Sequence, residues 1–150
     1  MTRLISKPST LIAVLWATLS ISSAAAEEIS PGILRTPEAR FQGLTDYPFQ
    51  ANYLQLGDVR MHYVDEGPSQ APVVLLLHGE PSWSYLYRTM IPVLSAAGYR
   101  VIAPDLIGFG KSDKPAQMSA HSHSGHVADI SALIEQLQLS NITLFIQDWG

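Results

Sequence analysis

Three short apolar runs, Pro72–Leu77, Arg100–Ala103 and Asn141–Ile146, are separated by two stretches of helical periodicity. This alternation constrains the chain more than any other feature. A short apolar run without polar alternation reads as a strand covered on both faces. Strands that alternate with helices form a parallel sheet with helices on both sides. The first helical stretch, Ser82–Ala97, repeats Leu86, Met90, Ile91 and Leu94 on one face and stops at Gly98, while Pro92 inside it predicts a kink or an early end. The second runs from about His123 to Leu139, with Val127, Ile130, Leu133, Ile134 and Leu137 on one face. Upstream, Tyr53–Leu56 and Val59–Val64 alternate around Gly57-Asp58 and predict an antiparallel hairpin. The fold class is α/β, an antiparallel hairpin followed by a parallel sheet with flanking helices.

Composition narrows the partners. Of 150 residues, 47% are hydrophobic and 15% charged, which suits a packed core and not a disordered chain. A net charge of −4 argues against nucleic acid, which is held by clustered cations. The absence of cysteine excludes disulfides, thiolate catalysis and Cys-based zinc sites. Residues 1–26 read as a secretory signal peptide: Arg3 and Lys7, an apolar Leu11–Ile21, then Ala24-Ala25-Ala26 before Glu27. The alternative, a membrane anchor, needs a longer apolar run. The mature chain is expected in the periplasm or outside the cell, with no stable membrane association once the signal is removed. Residues 27–50, rich in Pro and Gly, read as an irregular leader, and residues 51–150 as the core domain.

In a parallel sheet the active site lies beyond the carboxyl ends of the strands. Three polar clusters occupy those ends: His78-Gly79-Glu80-Pro81, Asp105–Gly110 and Gln147-Asp148-Trp149-Gly150. A strand ending in nucleophile, any residue, then Gly has the form of a nucleophile elbow. Here the nucleophile position holds Asp148, whose carboxylate attacks saturated carbon better than it attacks amides. A helix cap is the other reading of Asp148, but a cap needs neither the adjacent Trp nor two companion loops. The Trp149 indole offers an N–H donor and no acceptor, which suits a leaving group departing as an anion; packing beneath the elbow is its alternative role. His121, His123 and His126 fit no zinc spacing and read as solvated loop and helix-start residues; no metal is expected. Trp83 and Phe109 read equally as pocket lining or as core.

From about Leu34 to Gly150 the chain resembles the amino-terminal half of haloalkane dehalogenases, within the α/β-hydrolase superfamily. The resemblance is carried by Tyr47-Pro48-Phe49, Met61 to Pro68, His78 to Arg88, Arg100 to Asp105, Gly108 to Pro115, and Gln147 to Gly150. It implies that Asp148 is the nucleophile, displacing halide to leave an alkyl ester that water, activated by a histidine, then hydrolyses. The Glu80 and Trp149 backbone N–H groups would form the oxyanion hole, and the Trp149 indole would bind halide. Glu80 stands where some members carry a halide-binding Asn. A Glu here resembles the subgroup whose second halide donor is a Trp of the cap domain. His78 reads as a ligand of the loop backbone, not the catalytic base. The substrate class implied is small haloalkanes, with halide as product and no cofactor. The main alternative is an epoxide hydrolase, disfavoured by Ile146-Gln147 before the Asp and by Glu80.

The sequence also reads as incomplete, an α/β-hydrolase core cut at the elbow. As given, it is expected to be inactive: without base, orienting acid and cap it alkylates at most once, as a non-catalytic truncated remnant.

Overall fold

The computed structural model describes residues 25–150, so the expected signal peptide lies outside the described residues except for Ala25 and Ala26. Strands β1 (Glu27–Ser30) and β2 (Ile33–Arg35) come first, then the hairpin β3 (Asn52–Leu56) and β4 (Val59–Glu66). There follow β5 (Val73–Leu77), α1 (Met90–Ala96), β6 (Arg100–Pro104), β7 (Lys114–Pro115), α2 (His123–Gln136) and β8 (Ile142–Ile146). The main sheet has the order β3-β4-β6-β5-β8. The hairpin joins it antiparallel, and β6, β5 and β8 run parallel, as the alternation of runs requires.

The apolar continuity of β5 has a direct structural meaning. All five of its residues are buried. Val73, Leu75 and Leu77 pack on one face with Ile102, Ile130 and Leu133, the last two from α2. Val74 and Leu76 pack on the other with Tyr87, Val101, Ala103 and Ile91 of α1. Side chains alternate across the pleat, so a strand between two helix layers must be apolar at every position.

Several expectations need correction. The run Asn141–Ile146, read as a strand covered on both faces, forms β8, but Thr143–Ile146 are exposed, because β8 is the outer strand of the described sheet. The helix read over Ser82–Ala97 is instead a 3₁₀ turn at Ser84–Tyr87 followed by α1. Pro92 is the third residue of α1, inside the first turn, where a missing N–H costs nothing. Leu86, assigned to the buried face, is 41% exposed. Val127 of α2 is likewise exposed. The leader 27–50 is not wholly irregular: β1 and β2 form a small antiparallel sheet with β7. Its pairing partner is far along the chain, and no local signal announces such a pairing.

Both helices end in the same way. Past α1, the Tyr99 N–H reaches Leu94 C=O and the Gly98 N–H reaches Ser95 C=O, with Gly98 at φ 89°. Past α2, Leu139 and Gln138 make the matching pair to Ile134 and Glu135, with Gln138 at φ 52°. This is the Schellman closure, with Gly at one left-handed position and Gln at the other.

Candidate active site

The register of β5 with β8, Leu77 opposite Ile146, brings the two loops beyond them together. The Gln147 N–H continues the ladder to Leu77 C=O at 3.1 Å. Asp148 then takes a left-handed conformation, φ 56°, and the turn closes with Gly150 N–H on Gln147 C=O at 3.1 Å. A non-glycine residue held there is strained, and strain of this kind gathers at functional sites. The turn projects the Asp148 side chain outward, and the residue is exposed. A side chain at Gly150 would collide with the Leu77 backbone, so glycine lets the elbow sit against β5.

The facing turn grips this elbow. The Gly79 N–H donates to Gln147 Oε1 at 3.3 Å, and the Glu80 N–H donates to Asp148 Oδ1 at 3.1 Å. One backbone donor of the H-G-E-P turn therefore already lies on one oxygen of the acid. Trp149, the other residue expected to offer a backbone N–H, follows Asp148 in the same turn.

Two buried groups fix the loops behind the site. His78 is fully buried, its Nδ1 3.0 Å from Gly79 C=O and its Nε2 3.0 Å from the Leu106 N–H. A carbonyl only accepts and an amide N–H only donates, so His78 is the neutral Nδ1–H tautomer. Burial lowers its pKa below the ordinary 6.5, consistent with that state. With both nitrogens engaged by backbone, His78 is a staple between two loops, as the sequence indicated. Asp105 is also fully buried and accepts from His62 Nδ1, Ser84 N–H and Lys111 N–H, each at 2.8 Å. Burial alone would raise its pKa; the donors, His62 foremost, outweigh it and hold the carboxyl below its ordinary range. Gly110 passes so close to this carboxylate that a β-carbon would lie 2.3 Å from Oδ2.

Beside the elbow opens a cleft of about 280 Å³, lined by Glu80, Leu106, Gly108, Phe109, His121, Ser122, His126 and Trp149. Trp149 is 59% exposed, and its ring meets His123 at 6.2 Å. Phe109 is thus a lining residue. Trp83 stacks on Tyr85 at 5.5 Å and packs against Phe41 and Tyr47, so it belongs to an aromatic cluster and not to the cleft lining. The histidines near the start of α2 were read as solvated, and His121 and His123 are exposed while His126 is half-buried; His121 and His126 also line the cleft. Their sequence spacing carried no sign of this, because tertiary packing of the α2 start against the Gly108 loop brings them there.

The model of the alpha/beta hydrolase fold family matches residues 72–150, which contain the H-G-E-P turn, the Gly-rich loop and the elbow. The chain belongs to the alpha/beta hydrolase fold family. Within that family it is 55% identical over 123 residues to a haloalkane dehalogenase of Mycobacterium marinum, covering 79% of this chain and 41% of that protein. The tetrameric structure of haloalkane dehalogenase DpaA from Paraglaciecola agarilytica NO2 superposes with a TM-score of 0.75 at 53% identity, covering 79% of this chain and 41% of that one. Epoxide hydrolase VrEH1 from Vigna radiata is more distant, with a TM-score of 0.63 and 37% identity over 68% of this chain and 32% of its own. The α/β-hydrolase chain described here thus spans 41% of the length of the haloalkane dehalogenases it matches.

Proposed function

We propose that this chain carries the nucleophile half of a hydrolytic dehalogenase that converts small haloalkanes to alcohol and halide. The observation that carries the reading is the Glu80 N–H lying 3.1 Å from Asp148 Oδ1 at a strained elbow. That bond divides the labour of the carboxylate. The oxygen held by Glu80 is placed to take negative charge; the other attacks carbon. In the first step a C–O bond forms as the carbon–halogen bond breaks, and the halide leaves with the electron pair. The Trp149 indole N–H is the donor proposed to receive it in the cleft. In the second step water adds to the ester carbonyl, and the Glu80 and Trp149 backbone N–H groups stabilise the resulting oxyanion; as it collapses, the bond from the carbonyl carbon to the alkyl oxygen breaks, that oxygen takes the water's proton and leaves as alcohol, and the Asp148 carboxylate is restored. The water's proton needs a base, and His78 is not that base, because both its nitrogens are bound to backbone. The higher identity to haloalkane dehalogenases than to epoxide hydrolase supports carbon–halogen over epoxide chemistry. We infer export from the signal-like residues 1–26.

The test is bromide release from 1-bromobutane by the intact protein. Wild type is expected to release bromide steadily and Asp148→Asn to release none. Equal release by both would remove Asp148 from the reaction.

A further inference from the structure

We propose that the segment Glu27–Arg35 is a strap that sets the position of the cleft wall at Gly108 and Phe109, with Arg35 as its positioning residue. Asp113 lies at the end of the wall loop, its side chain 1% exposed. Arg35 grips it with two prongs, Nε to Oδ1 at 2.7 Å and Nη2 to Oδ2 at 2.9 Å. A forked guanidinium on a carboxylate fixes orientation as well as charge. The Gly108 N–H in turn donates to Asp113 C=O at 2.8 Å, so the wall hangs one bond from the gripped residue. A neighbouring part of the lining is tied to the same strap. β2 pairs with β7 through Ile33 opposite Pro115, and the Pro115 C=O lies 2.8 Å from His121 Nε2. His121 presses against Gly108, where a β-carbon would lie 2.9 Å from its Cε1. Both Gly108 and His121 of the cleft lining thus refer back to β2.

The strap is not part of the core. It belongs to the small sheet, separate from the one that contains β5 and β6. Asp113 also accepts the Arg60 N–H at 2.9 Å and has Arg60 Nε at 3.8 Å, so it keeps a cationic neighbour if Arg35 is changed. Loss of Arg35 is therefore expected to loosen the wall while leaving the central sheet intact.

The experiment compares intact wild type, Arg35→Met and Arg35→Lys by hydrogen exchange with mass spectrometry, and by KM and kcat for 1-bromobutane. In Arg35→Met, exchange over residues 106–113 is expected to rise about tenfold, with β5 and β6 unchanged. KM should rise about tenfold with kcat held within about twofold. Arg35→Lys keeps the charge but not the fork and should fall between the two. Unchanged exchange at residues 106–113, or an equal rise in β5 and β6, would overturn the proposal. If Arg35→Met does not fold, Arg35→Lys carries the same comparison. The kinetic arm rests on the proposed function. If wild type releases no bromide, that function fails and the exchange arm alone decides the strap.

Discussion

A β-carbon at position 79 would lie 2.4 Å from Asp148 Cβ and 2.5 Å from its Oδ1. The backbone Gln147 C=O would lie 2.7 Å away as well, so the main chain of the elbow, and not only a side-chain tip, stands in the way. Gly79→Ala is therefore expected to push the elbow away from the Glu80 donor and to lower kcat/KM about 10²-fold, with the far-ultraviolet circular dichroism spectrum unchanged. His78 makes the stability depend on pH. Its folded pKa is lowered by burial, so the unfolded chain takes up the proton first as pH falls. Stability from this group is full above its ordinary 6.5 and is lost as pH falls toward the folded value. Protonating Nε2 also destroys the acceptor for the Leu106 N–H. His126, lowered mainly by burial, adds a slope of the same sign. The urea midpoint should drop between about pH 7.5 and about pH 5.5, and His78→Gln should flatten part of that slope.

Among the elements, the strands of the main sheet were legible, those of the small sheet β1-β2-β7 were not, and the helix limits were legible only in part. Burial on both faces makes β5 apolar throughout, and that pattern can be read without a structure. Leu76, fully buried beneath α1, tests the point: Leu76→Ala is expected to cost about 2–5 kcal/mol in urea denaturation. The first helix is shorter than its periodicity indicates. Leu86 matches the spacing of Met90 and Leu94, but the 3₁₀ turn before α1 rotates it outward. Periodicity records which residues are apolar, not whether the backbone between them stays helical. The C-terminal stop of α1 was visible in Gly98, whereas that of α2, closed by the left-handed Gln138 beyond its last residue, was not, because Gln rarely marks a left-handed position.

At the scale of the whole molecule, the three loops named from sequence do converge, and the parallel sheet is the reason. Strands running the same way deliver all their carboxyl ends to one edge. Asp148, Glu80 and Trp149 could be named because each lies within two or three residues of such an end. The parts that escaped the sequence are joined by long-range contacts. Arg35 meets Asp113 across 78 residues, and the α2 histidines reach the cleft only through packing against the Gly108 loop. No local pattern encodes either contact. The proposed reaction is covalent, with Asp148 esterified by the substrate. The most direct measurement is mass spectrometry of the protein quenched in acid during turnover of 1-bromobutane. The expected result is one added butyl group, mapped to the peptide that contains Asp148 and absent from Asp148→Asn. Bromide release with no alkyl group on that peptide, or the same adduct in Asp148→Asn, would rule out Asp148 as the nucleophile.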